Sequence, residues 1–461
     1  MLLPATGVCD ETVALGENVQ AAVDRCRSGG SVRLQAGTHV AELKLRDTND
    51  VYVFGAGASL RGNHISPALL ATSTKATFVG LRFADFRILH GVDVKGGNVR
   101  FQECTFEAAQ NSFHTCVRVD GDCTVALIGC NISGGTIGVE ISGRDYGITN
   151  NAYNSNVRFN SCVIANCSKV GVKADTPTKL TLHACEIRSC GGGVDVYGSV
   201  SDVVGSLRME GNNVHHITGT GVKLGKLAKG SCPANVLINN KIHVCSVAGV
   251  CWQGRGTRGE MRGCAVWGNT GPGLLICDGA CPQITKNEIS NGLGVGVRVR
   301  DKSTWGRLSS NKIWGNVKGV EILGEARPKL KGNTIRDHSM CGVMVGVPSR
   351  PNVPVRRELA AIATDNVFTC NGRANVHNQA HAEVAAERLL FDKHLPDFHP
   401  HPLSFVSFTN VESPPKECSK CMAYISDASG GGFRCHDLSC LRGGERFVVC
   451  SKCFMAAYVK K

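Results

Sequence analysis

The chain has 461 residues, 42% of them hydrophobic and 6% aromatic, with 55 glycines, 24 cysteines and a formal net charge of +13. No stretch approaches the roughly 18 consecutive apolar residues of a membrane span, the opening MLLPATGVCDETVALGENV lacks the basic segment and apolar core of a secretory signal, and glycine without a triplet repeat excludes collagen and points to many tight turns. The protein is therefore expected to be soluble and intracellular, cytoplasmic or nuclear, with thiols reduced or metal-bound; its basic balance admits acidic partners, RNA included, although no Lys/Arg-rich block or aromatic stripe marks a nucleic-acid site.

Residues 17–27, ENVQAAVDRCR, place Val19, Ala22, Val23 and Cys26 at helical spacing. The SGGSVRLQAGTHVAELKL that follows reads as turn, strand, turn, strand. The helix is expected to cap the open edge of a sheet.

A repeat then organises the chain. Cys or Asn comes two residues before an apolar β-former at Cys104/Phe106, Cys130/Ile132, Cys162/Ile164, Cys185/Ile187, Asn212/Val214 and Asn240/Ile242. It does so again at Cys264/Val266, Asn287/Ile289, Asn311/Ile313, Asn333/Ile335 and Asn366/Phe368. Successive copies are roughly 22 to 33 residues apart, near the length of one coil of a β-solenoid. Eight or nine residues later comes Gly followed by Val or Leu, as at Gly138-Val139, Gly171-Val172, Gly193-Val194, Gly221-Val222 and Gly319-Val320. Runs such as GVEI, GVKL and GVRV alternate apolar and polar residues, which is strand period. Stacked coils bring like positions together, and Val and Ile ladders fill the interior. Asn or Cys at an inward bend either bonds to its stacked neighbour or packs as a small side chain with a weak S–H donor. Exchange of Asn for Cys at one repeat position argues against a metal or redox role for these cysteines. ACEIRSCGGGVDV (184–196) thus reads as structure: Cys185 is one rung, and Cys190 shares a neighbouring turn position with Cys167, Cys245 and Asn269.

VQAAVDRCRSGGSVRLQAGTHVAELKL together with these marks resembles right-handed parallel β-helix proteins of the pectin-lyase-like class, over about residues 10 to 378. The right-handed sense is implied by the resemblance. Further on, VPSRPNVPVRRELAA (347–361) reads as a loop inserted before the last coil. AHAEVAAERLLFDKHL (380–395) has helical spacing at Val384, Ala385, Leu389 and Leu390 and would cap the far edge. The proline-rich 396–415 reads as a linker.

The tail carries six cysteines within 36 residues. Cys418/Cys421 and Cys450/Cys453 are C-x-x-C pairs, and each presents two sulfurs to one ion on a tight turn. Together they make a complete four-thiolate zinc site; disulfides or idle thiols are the alternatives. Cys435, Cys440 and His436 are candidates for a second zinc. FRC, a further cysteine and FVVCSKCF resemble the core of ZZ-type zinc fingers and the related UBR box. The chain has no histidine after Cys453, which those fingers use for the second ion, and few acids (Asp427, Asp437, Glu445) for the acidic pocket of a UBR box.

The expected fold class is all-β: a right-handed parallel β-helix with an N-terminal capping helix and a small C-terminal zinc-binding module. The expected divisions are 1–35 (cap), 36–378 (β-helix), 379–415 (C-terminal cap and linker) and 416–461 (zinc finger). Polygalacturonase-type hydrolysis needs clustered acids on adjacent coils, and the NTD, DD, GHG and RIK motifs of that family are missing. Asp120, Asp122, Asp145 and Asp195 stand in different coils and show no common register, so a shared cleft is not expected. GTHVAE (37–42) resembles the GxYxE of pectin methylesterases without their later Asp-rich motifs. HPH (399–401) reads as surface, and His215-His216 stands without an assigned role.

The leading expectation is a non-enzymatic interaction scaffold, or a subunit of a large assembly with protein partners. A β-helix followed by a UBR-type finger resembles the β-helix F-box proteins, substrate receptors of ubiquitin ligases, but no F-box precedes the helix. The alternative is a carbohydrate-binding or polysaccharide-degrading β-helix. Acids clustered across neighbouring coils on one face would favour the alternative.

Overall fold

The computed structural model describes residues 9–378 apart from 28, 63–66, 87–89, 109–113, 143–154, 175–177, 199–205, 227–234 and 347–360; beyond 378 it describes the backbone of short strands between 393 and 450. The protein is an all-β parallel solenoid, divided into two compact units, Met1–Ala265 and Val266–Lys461.

In the first unit each coil feeds a 14-stranded parallel sheet (sheet I) and two rows of a 25-stranded one (called sheets II and III), which long strands such as Thr115–Ile128 join. In one coil, Asn131–Ser133 lies in sheet I, Ile137–Ser142 in sheet II and Ser155–Asn160 in sheet III. Each strand pairs in register with its equivalent one coil on: Ile132 beside Ile164, Val139 beside Val172, Phe159 beside Leu182. Period-two alternation turns Val139 and Ile141 inward and Glu140 outward, so the interior is a set of apolar columns. Phe78 stacks on Phe101 at 5.2 Å and Phe83 on Phe106 at 5.1 Å.

The corner from sheet III to sheet I explains the Cys/Asn mark. The residue before every mark but Asn366 takes a left-handed conformation, as at Ser161, Ala184 and Asn239 (φ 53°, 51° and 52°). The mark itself then points inward and is buried. Cys162 Sγ donates to Asn160 O at 3.5 Å, and Cys185 Sγ to His183 O at 3.3 Å. Asn212 Nδ2 donates to Leu182 O at 3.0 Å and to Asn240 Oδ1 at 2.8 Å. Either small side chain supplies the donor that a buried corner carbonyl needs. Burial pushes the Cys245 thiol up to about 12, as suits an inert structural cysteine.

Helix Val19–Arg25 lies at the start, with Asn18 Oδ1 accepting from Ala21 N and Val19, Ala22 and Val23 buried. Cys26, at its C-terminal end, forms a disulfide with Cys9. This departs from the expectation of reduced thiols; the other cysteines whose side chains are described, Cys104 to Cys370, form no disulfide.

The second unit repeats the three-sheet coil, as in Glu288–Ser290, Val295–Val299 and Arg307–Ser309. Here the corner column is all asparagine: Asn287 Nδ2 donates to Asn311 Oδ1 (3.0 Å), Asn311 to Asn333 (2.9 Å) and Asn333 to Asn366 (2.8 Å). Beyond the solenoid, an antiparallel sheet joins Lys393–Leu395, His399–Val406, Gly432–Cys435 and Val448–Cys450. The segment read as a linker therefore contains a strand that pairs with the tail, and HPH lies in it. The loop expected at 347–361 lies outside the described residues except Ala361. Of the helix expected at 380–395, the described part, Lys393–Leu395, is a strand.

A ladder of alternating charge as candidate functional site

The outer face of sheet II in the first unit carries an ordered row of charge. Parallel in-register pairing sets Asp93 beside Arg118, Arg118 beside Glu140, Glu140 beside Lys173, Lys173 beside Asp195 and Asp195 beside Lys223. The sign alternates at every step, so each coil attracts its neighbours. A second column two residues on holds Lys95, Asp120 and Ser142. Lys223 Nζ sits 5.0 Å from the centre of the Tyr197 ring.

One end of this row is more than a set of surface pairs. Arg118 Nη2 donates to Asp120 Oδ2 at 3.0 Å, and its Nη1 lies 3.0 Å from His90 Nε2. A guanidinium only donates, so His90 Nε2 is the acceptor and the ring proton is on Nδ1. The Arg118 and Asp120 side chains are 19% and 17% exposed, too buried for an ordinary solvated pair. Lys95 Nζ lies 3.4 Å from Asp93 Oδ2, and Lys173 Nζ donates to Glu140 Oε1 at 3.2 Å. Burial and the Arg118 charge lower the His90 pKa, keeping the ring neutral near pH 7. Burial raises that of Asp120 against the pull of Arg118.

Asp93 Oδ1, His90 Nδ1, Arg118 Nε and His114 Nδ1 are buried and have no hydrogen-bond partner among the described residues. Buried polar atoms in native proteins are nearly always paired, so several unpaired ones on adjacent coils mark a place where polar capacity is held in reserve. The arrangement offers a fixed cation to a carboxylate, a neutral imidazole to a proton and acids beside both.

Two of the four acids considered from sequence are brought onto this face. Asp195 stands in the Asp93–Lys223 row, and Asp120 in the adjoining column. These two acids stand three coils apart in different columns, so they share no register, as expected; parallel pairing instead sets each of them beside basic residues of neighbouring coils. Asp122 is exposed and lies outside this row, and Asp145 lies outside the described residues. His90, Asp93, Arg118, Glu140, Lys173 and Lys223 were missed. A legible signal existed: the residue after each Gly-Val mark reads Glu140, Lys173, Asp195, Lys223 in successive coils.

Of the expected zinc ligands, Cys418, Cys421, His436, Cys440 and Cys453 lie outside the described residues. Cys435 and Cys450 end two neighbouring antiparallel strands in which Gly432 is the partner of Cys450.

A family model described as "Right handed beta helix region" matches residues 49–229 and 204–335. No curated protein matches the chain in sequence. Solved structures resemble it at low identity. The catalytic unit of a thermostable GH87 alpha-1,3-glucanase from Streptomyces thermodiastaticus is 13% identical (TM-score 0.49; 82% of this chain, 69% of that one). The periplasmic alginate epimerase AlgG is 11% identical (TM-score 0.42; 76% and 77%). The A-module of the Azotobacter vinelandii mannuronan C-5 epimerase AlgE4 is 14% identical (TM-score 0.43; 80% and 97%). The names printed for these structures are those of enzymes, so the expectation of a non-enzymatic protein, drawn from missing motifs, is corrected to this extent: the β-helix fold is one that enzymes also have.

Proposed function

The chain belongs to the right-handed β-helix family, and from that premise we propose that it is a carbohydrate-active protein that binds an acidic polysaccharide along the outer face of sheet II. The observation that carries this reading is the His90–Arg118–Asp120 group set within the alternating row. Sugar units and β-coils have similar repeats, about 5 Å, so a polymer lying across the strands meets one coil per residue. The net charge of +13 favours a polyanion.

In this reading Arg118 pairs with a uronate carboxylate through two parallel hydrogen bonds and releases His90. His90 Nε2 then accepts the proton from the carbon next to that carboxylate, while Arg118 stabilises the negative charge that develops on the carboxylate oxygens. Return of a proton from water to the opposite face, with His90 giving its proton up to solvent, would epimerise the sugar; loss of the neighbouring glycosidic oxygen, which takes the proton from His90, would cleave the chain and leave a C=C bond. This reading accounts for the charge row better than a ubiquitin-ligase scaffold, which calls for no such cluster.

The test is affinity electrophoresis in polymannuronate and polygalacturonate gels, with nuclear magnetic resonance and ultraviolet absorbance of the treated polymer. The expected result is retardation that Arg118→Ala abolishes and a chemical change that His90→Gln abolishes. A wild-type chain that is neither retarded by nor alters either polymer overturns the reading.

For the tail we propose one zinc held by Cys418, Cys421, Cys450 and Cys453, supported by the two C-x-x-C spacings. Native mass spectrometry of the full chain should show a resident zinc that Cys450→Ser loses; a full chain without zinc would remove this proposal.

A further inference from the structure

In the second unit the coil that holds Thr334–Arg336 and Cys341–Val345 has no third strand among the described residues. The preceding strand, Lys329–Lys331, pairs in register with Arg307–Ser309 of the coil before it. A cavity of about 320 Å³ lies against this strand. Period-two alternation puts Leu330 on the inner side of the strand, between exposed Lys329 and Lys331.

Floor and rim of the cavity differ in chemistry. Ile322, Leu330 and Ile362 line the floor and are buried, at 5%, 5% and 8% exposure. The carbonyls of Leu330 and Ile362 both accept from Asn366 Nδ2, at 3.1 and 2.9 Å, so these floor acceptors are already satisfied. The rim carries Arg327, Lys329 and Lys331, all exposed, and none of the three is in an ion pair among the described residues. The one acid of the lining, Asp365, takes a bond from Thr364 Oγ1 at 3.4 Å. Three cations against one acid give the mouth a positive potential.

Size and chemistry together select the occupant. Ligand pockets run from roughly 300 to 1,000 Å³, so this one admits a small molecule, on the order of ten to fifteen non-hydrogen atoms. A sugar unit would press its hydroxyls unpaired against the apolar floor. A bare inorganic anion would leave that floor unfilled. An apolar body that ends in a carboxylate suits both parts, since the body is removed from water and the carboxylate meets cationic donors.

We propose that this cavity is a binding site for a small amphipathic anion, an apolar carboxylate whose body rests on Ile322, Leu330 and Ile362 and whose charge is received by Arg327, Lys329 and Lys331. It draws on no residue of the charged row, and it stands independently of the polysaccharide reading.

The test is calorimetric titration of the full chain with sodium decanoate below its micelle concentration, with decanol as the uncharged comparison. The expected result is one saturable equivalent of decanoate, with decanol on the order of tenfold weaker. The double variant Lys329→Glu, Lys331→Glu changes only exposed side chains, so the fold is kept, and it should weaken decanoate on the order of tenfold or more. Ala326→Phe places a ring into the cavity and should remove the equivalent. No saturable binding of decanoate to wild type overturns the proposal. Unchanged affinity in the double variant overturns it too, as does equal binding of decanoate and decanol, or unchanged binding by an Ala326→Phe chain with wild-type far-ultraviolet circular dichroism.

Discussion

Arg118 Nη1 and His90 Nε2 lie 3.0 Å apart on neighbouring coils, a cation donating to a neutral imidazole rather than to a carboxylate alone. The pair is held because Arg118 also bonds Asp120 and stands in register with Asp93 and Glu140. Removing Arg118 would leave half-buried acids facing one another. Arg118→Ala is expected to cost on the order of 1–3 kcal/mol in urea unfolding, through unpaired polar groups. Arg118→Lys should recover stability more than polymer binding, because an ammonium cannot reproduce the two-point contact.

His338 is buried in the second unit, with Nε2 3.2 Å from Ile313 O and Asn316 N donating to its Nδ1 at 3.2 Å. Burial lowers its pKa to about 4 from an ordinary 6.5. The unfolded chain therefore binds the proton first on acidification. The contribution is fully present above pH 6.5 and is lost as pH falls toward 4, about 3 kcal/mol over that window. His338 shares its corner column with Asn316 and Asn371. His338→Asn should flatten the dependence of the urea midpoint on pH between 6.5 and 4; an unchanged slope would contradict this assignment.

Asn311 accepts from Asn287 N and Nδ2 and donates to Ile284 O and Asn333 Oδ1. Asn311→Ala strands several buried groups at once and should cost about 2–4 kcal/mol. Asn311→Cys should cost less, since Cys264 beside Asn240 in the first unit shows that a thiol can serve as a rung. Chemical denaturation of both variants checks the order.

Gly221 carries the second repeat mark. A Cβ there would lie 2.7 Å from Gly249 O and 2.9 Å from Cys245 Sγ, closer than real contacts allow. Gly221→Ala is expected to destabilise by about 1–3 kcal/mol through overpacking, read as a lower thermal midpoint.

The coil repeat was legible because each mark has a local cause that recurs. A left-handed residue before Cys162 or Asn240 forces a small inward side chain, and Gly221 is required by the backbone of the next coil. The charge row was not read, although its letters stood one place beyond the marks Gly138-Val139, Gly171-Val172, Gly193-Val194 and Gly221-Val222. Coils of unequal length hide such a column, since Arg118 to Glu140 spans 22 residues and Glu140 to Lys173 spans 33. His215-His216 was noticed as a pair, but His243, whose ring stacks on that of His215 at 5.0 Å, sits one coil away.

By itself the sequence determined the parallel solenoid, its inward Cys/Asn corners and its apolar columns, because these follow from period-two alternation and from the residues that a tight bend admits. Only the tertiary structure decided which outward side chains meet. Those residues are under no local constraint, and their partners are set by register between coils, which is long-range. His90 with Arg118 and Asp120, and His215 with His216 and His243, exist as groups only once the coils are stacked.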